Sequence, residues 1–149
     1  MTLAQDLRKW MERLSEPRAE FNGLSACPHA KQARVTCIEV ADTEEARHYL
    51  RCLEPQSPLV IDIPMGMAPM AHALVKELNP DLRERGLFAF VSDPDAPVIV
   101  KGYQTTQSDR LFIIMQPYDE LQKASEQLEK KGYYQHWDEE TLRRVKGGR

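Results

Sequence analysis

The chain is 149 residues long, 42% apolar and 29% charged, with a formal net charge of −3. That length holds one domain with a real core and not two, and the balance is that of a soluble globular chain rather than a disordered one. The mild acidity speaks against general binding to nucleic acid or anionic membrane, and no apolar run approaches the roughly 18 residues of a membrane span.

The first ten residues, Met-Thr-Leu-Ala-Gln-Asp-Leu-Arg-Lys-Trp, contain no apolar h-region, so a cytoplasmic protein is expected. Residues 2–16 read as an N-terminal helix. Leu3, Leu7, Trp10, Met11 and Leu14 recur at helical spacing, and Arg8, Lys9, Glu12 and Arg13 take the other face. This amphipathic helix can pack on its own domain, on a second copy or on another protein. Pro17 ends it, and a polar connection follows to residue 26.

From residue 34 the pattern alternates. Arg34–Val40 is expected as a strand, with Val35 and Cys37 on one face and Thr36, Ile38 and Val40 on the other. Asp42-Thr43-Glu44-Glu45 is a helix start, with Asp42 as N-cap and Glu45 reaching back. Ala46, Tyr49, Leu50 and Leu53 form the inner face of that helix. Leu59–Ile63 is a short apolar strand, expected at the centre of the sheet. Pro64-Met65-Gly66 turns into a second helix carrying Met67, Met70, Ala71, Leu74, Val75 and Leu78, with Met67 and Met70 expected in the core. Asn79-Pro80 is expected to re-cap a further turn that Gly86 closes.

Leu87–Val91 is a third strand, and Val98–Tyr103 with Leu111–Met115 is expected as an antiparallel pair. A helix over 119–131, with Leu121, Ala124 and Leu128 inward, stops at Gly132. Tyr133–Trp137 is expected as an aromatic edge strand, and residues 138–149 as a short helix with a basic tail. The succession β-α-β-α-β-β-α predicts a single α/β domain with a mixed, thioredoxin-fold-like sheet; a ferredoxin-like α+β sandwich is the alternative.

The three cysteines, Cys27, Cys37 and Cys52, are odd in number and irregularly spaced, so thiols are expected rather than a disulfide framework. Cys27-Pro28-His29-Ala30 places a cysteine at the N-cap of a short turn, where backbone N–H groups favour a thiolate that His29 can tune. A reactive thiol at Cys27 is one reading; a small cysteine packed into a tight turn is the plainer one. The four residues resemble the Cys-Pro-His-Cys centre of disulfide-forming oxidoreductases, with Ala30 in place of the second cysteine. Such a centre follows a strand and opens a long helix, whereas here the strand starts four residues later.

Over residues 21–96 the chain also resembles small bacterial proteins with a Gly-Leu-x-x-Cys-Pro-Phe-Ala signature. Gly23-Leu24-Ser25-Ala26-Cys27-Pro28-His29-Ala30 stands in that position, and Ser92-Asp93-Pro94-Asp95 stands where that family has a His-Pro-Asp-type turn. His29 replaces its Phe and Asp93 its later His. The resemblance implies a bacterial origin and no particular reaction.

Other candidates are weaker. His48 and Cys52, at i,i+4, can share a metal from one helical face, and the stretch Pro64–His72, with Met65, Met67, Met70 and His72, suits a soft metal such as copper(I); solvent-facing positions for His48 and Cys52 and core positions for Met67 and Met70 are the plainer readings, with His72 off that stripe. At the carboxyl edge of the sheet, Asp42, Thr43, Met65 and Gly66 are the ligand or anion candidates. For Asp42 the plainer role is helix capping. Tyr133, Tyr134, His136 and Trp137 form a candidate partner surface. No cofactor is expected, and no catalytic constellation stands out. The expectation is an accessory or binding protein working through a protein partner or as a homodimer. A single-thiol redox protein using Cys27 and a copper- or zinc-binding protein are the alternatives.

Overall fold

The computed structural model of the chain describes residues 2–19, 25, 34–55, 57–100, 102–107, 109–135 and 137–146. Helix α1 (Leu3–Ser15) starts at a capping box: Thr2 Oγ1 accepts from the Gln5 N–H at 3.2 Å, and the Gln5 side chain accepts from the Thr2 N–H at 3.0 Å. Then come β1 (Thr36–Glu39), α2 (Thr43–Cys52), β2 (Leu59–Ile63), a 3-10 turn (Met65–Met67), α3 (Ala68–Glu84) and β3 (Leu87–Ser92). A small hairpin of β4 (Ile99–Val100) and β5 (Tyr103–Gln104) leads to β6 (Leu111–Pro117), α4 (Tyr118–Lys130) and α5 (Glu139–Lys146).

The main sheet has the order β1-β2-β6-β3. β1 and β2 are parallel, and β6 runs antiparallel to both its neighbours. Period-two alternation sorts the side chains into two cores. Leu59, Ile61 and Ile63 of β2 join Leu111, Ile113 and Met115 of β6 beneath α2 and α3. Val60, Phe112 and Ile114 point the other way, to Leu3, Leu7, Trp10 and Met11 of α1. Helices therefore cover both faces of a mixed sheet, which departs from a two-layer ferredoxin-like sandwich. α1 docks on its own domain: its Trp10 ring lies 5.6 Å from that of Phe112 and donates Nε1–H to the Thr105 carbonyl at 2.8 Å.

Several expected elements are placed differently. Leu111–Met115 does not pair with Val98–Tyr103; it enters between β2 and β3. Its unbroken apolar run is buried on both faces, which only an interior strand provides. β4 pairs instead with β5, Ile99 opposite Gln104 and Val100 opposite Tyr103, with Gly102 at φ 81°. Tyr133, Tyr134 and Gln135 lie in turns and Trp137 in a bend, where an edge strand was expected. Gly132, at φ 75°, closes α4 with Tyr133 N–H bonded to the Leu128 carbonyl at 2.9 Å, and the rings of Tyr133, Tyr134 and Trp137 pack against each other.

α3 does not restart at Asn79-Pro80. It runs through Pro80, and Leu82 extends its buried stripe. The Asn79 amide serves β3 instead: Nδ2 donates to the Ala89 carbonyl and Oδ1 accepts from the Ala89 N–H, each at 2.9 Å. Those groups face away from β6, so one asparagine stands in for a neighbouring strand and blocks the edge of the sheet. Met70 is not core either. Ala68, Ala71, Val75, Leu78 and Leu82 centre the stripe, and Met70 falls about 100° off it. Met67 does pack against the core, as expected.

Candidate functional site: the carboxyl edge of the sheet

The parallel strands β1 and β2 end side by side, and α1 crosses above them. Between these parts lies a cleft of about 390 Å³ lined by Asp6, Glu39, Asp62, Met65, Asp109 and Arg110, among others. Each polar side chain arrives for a structural reason. Asp6 sits in the first turn of α1, where a carboxylate complements the helix dipole. Glu39 and Asp62 are register partners at the ends of β1 and β2. Arg110 immediately precedes β6, its N–H held by the Gln107 Oε1 at 2.6 Å.

Arg110 is the centre of the cleft. Its Nε donates to Asp6 Oδ2 at 2.7 Å and its Nη1 to Asp62 Oδ2 at 2.8 Å. One guanidinium thus ties α1, β2 and β6 together, with all three side chains only about one-fifth exposed (22%, 20% and 18%). The two carboxylates overcompensate it. Burial pushes the Asp62 carboxyl up, the charge and hydrogen bond of Arg110 pull it down, and Glu39 and Asp6 push it up again; the net direction is above its ordinary value. Glu39 and Asp109 are exposed and make no ion pair with a described residue. A second hollow of about 530 Å³ shares Asp6 and Asp109 and extends along α1, past Lys9, Trp10 and Arg13, to Gln104, Thr106 and Gln107.

The residues singled out in the sequence are dispersed. Met65 lines the cleft and is 40% exposed. Asp42 is turned to capping: its Oδ1 accepts from the Glu45 N–H at 2.9 Å, while Glu45 Oε2 accepts from the Ala41 N–H at 3.0 Å. Thr43 is the first residue of α2, and Gly66 lies in the 3-10 turn with open space where a Cβ would point. Cys27 and His29 lie outside the described residues, as does His136. His48 and Cys52 do meet, with Nδ1 3.7 Å from Sγ on the exposed side of α2. Among the described residues no three His, Cys, Asp or Glu side chains converge as a metal site. Tyr133 is buried, and Tyr134 and Trp137 are half-buried against it, so these rings serve mainly the packing of the C-terminal turn.

Sequence reasoning missed Arg110, Asp6 and Asp62. It also missed a pair on the other face of the same edge. His72 Nε2 lies 2.9 Å from Asp93 Oδ2, with side-chain exposures of 48% and 8%. Asp93 Oδ1 accepts from the Asp95 N–H at 2.9 Å. Burial pushes the Asp93 carboxyl up, but the His72 hydrogen bond, the Asp95 amide and the charge of His72 outweigh it and hold it below the usual carboxylate value.

No helix among the described residues is long and apolar enough to cross a membrane. No protein-family profile matches the chain, and no characterised protein or solved structure matches it significantly.

Proposed function

We propose that the protein is a small accessory protein that acts by binding another protein, and that the carboxyl-edge cleft receives a basic side chain of that partner. The observation that carries this reading is the state of Arg110. Its charge is already taken by Asp6 and Asp62, while Glu39 and Asp109 stand exposed beside it. Burial first, and then the charges of Glu39 and Asp6, hold the Asp62 carboxyl above its ordinary value, and a guanidinium or ammonium group placed beside these carboxylates would be attracted to them. Met65 adds an adaptable apolar contact at the rim. The thioredoxin-like description rests only on the chain order of the main-sheet strands and the helices that join them, β1-α2-β2-α3-β3-β6-α4, and on no shared site.

Affinity capture with the immobilised chain tests the proposal, run in parallel with the double variant Glu39→Lys/Asp109→Lys. Both positions are exposed, so the variant keeps its fold. A partner retained by the native chain, lost by the variant and released by salt supports the reading. A partner held equally by both places the interface elsewhere. Recovery of the chain itself makes the interaction a self-association.

A further inference from the structure

The His72–Asp93 pair takes no part in the cleft. His72 stands in the second turn of α3, off the buried stripe of that helix. Asp93 directly follows β3 and is locked in place, one oxygen on the Asp95 N–H and the other on His72, with its own carbonyl closing a turn to the Ala96 N–H at 3.1 Å. An anionic acceptor at Nε2 fixes the ring proton there. The lone pair is then on Nδ1, which bonds to no described residue. This is an imidazole oriented and made more nucleophilic by a buried carboxylate, with its reactive atom unoccupied and half its side chain in solvent.

The surroundings narrow what such an imidazole does. Neither of the two hollows described at this edge includes His72, and its side chain is 48% exposed. An open position suits a group handed over at the surface. A helical side chain leans toward the N-terminus of its own helix, so His72 covers the first turn of α3. The 3-10 turn Met65–Met67 runs into that turn and takes the Ala68 N–H onto the Met65 carbonyl, and the turn carries no acidic side chain to repel an anionic group.

We propose that His72 is a phosphoryl-accepting residue that takes the group at Nδ1 from an N-phosphoryl donor, with Asp93 as its positioning residue. The Nδ1 lone pair attacks phosphorus, the Nδ1–P bond forms and the P–N bond of the donor breaks. The leaving nitrogen departs as a neutral amine, because the donor nitrogen is already protonated. The ring keeps its proton on Nε2, and the positive charge that develops is shared with Asp93.

Phosphoramidate is the probe, used on the full chain at pH 7.5, with mass spectrometry and phosphorus NMR as the readout. The expected product is acid-labile, carries one phosphoryl group and has it on Nδ1 of His72. His72→Asn abolishes this product. Asp93→Asn slows labelling of His72 by at least about tenfold, as loss of a charge-assisted hydrogen bond requires, and leaves labelling of the other three histidines unchanged. Nitrogen NMR of the unmodified chain checks the orientation without any substitution, since the proposal requires the Nε2–H tautomer. Labelling of His72 no faster than of His48, a phosphoryl group on Nε2, an unchanged rate in Asp93→Asn or an Nδ1–H tautomer each overturns the proposal.

Discussion

Replacing Arg110 by Met keeps most of its apolar stem and removes its charge, leaving Asp6 and Asp62 facing each other about one-fifth exposed. The native side chain makes two charge-assisted hydrogen bonds, each worth about 1.5–3 kcal/mol when well sheltered. Partial exposure moves both toward the low end, so the expected loss at pH 7 is about 2–4 kcal/mol. The loss depends on pH in a definite direction. Asp62 already has a folded-state pKa above its unfolded value, so the folded chain binds the proton more tightly and Asp62 lowers stability as pH rises through that window. Without Arg110 its carboxyl is pushed further up and the penalty at neutral pH grows. As pH falls and the Asp62 carboxyl takes up its proton, the gap between the variant and the native chain should narrow. Urea unfolding at pH 7 and pH 3.5, followed by Trp10 fluorescence in a Trp137→Phe background, measures both. A loss under about 0.5 kcal/mol at pH 7, or an equal loss at both pH values, would refute the clamp as described.

Two further outcomes follow from the same physics. Asn79→Ala removes both bonds to Ala89 and uncovers the β3 edge; a loss of about 1–3 kcal/mol in urea unfolding, with concentration-dependent association in light scattering, is expected. Asp93 has a folded pKa below its unfolded value, so its contribution is present above the ordinary carboxylate pKa and is lost as pH falls through the lower, folded value. Stability curves of Asp93→Asn and the native chain should therefore be separate above the ordinary carboxylate range and converge as pH falls through the lower, folded value of Asp93, and parallel curves would contradict this.

Much of the fold was legible because it rests on local rules. The Asp42 and Glu45 caps, the alternation of Val35 and Cys37 against Ile38 and Val40, and the interior place of Leu59–Ile63 all follow from short-range pattern. What escaped depends on distant partners. Whether Asn79 caps a helix or closes a strand edge is decided by Ala89, ten residues away. The partners of Leu111–Met115 lie some fifty residues upstream in β2, and its two-sided burial was the available signal. The cleft was anticipated as a location, at the carboxyl ends of the parallel strands, yet only Met65 of its expected residues lines it. Arg110, Asp6 and Asp62 are ordinary surface-type residues in sequence, and they become a cluster only when α1 docks on the sheet.

The most direct test of the central claim is site-specific photo-crosslinking from the cleft. A photoreactive phenylalanine derivative replaces Met65 at the rim and, in a control chain, Ile99, which is 48% exposed but does not line the cleft. The binding account predicts a discrete adduct with another protein from position 65. That adduct disappears with Glu39→Lys/Asp109→Lys and has no counterpart from position 99. Adducts of equal yield from both positions, or one from position 65 that survives the charge reversal, would contradict it.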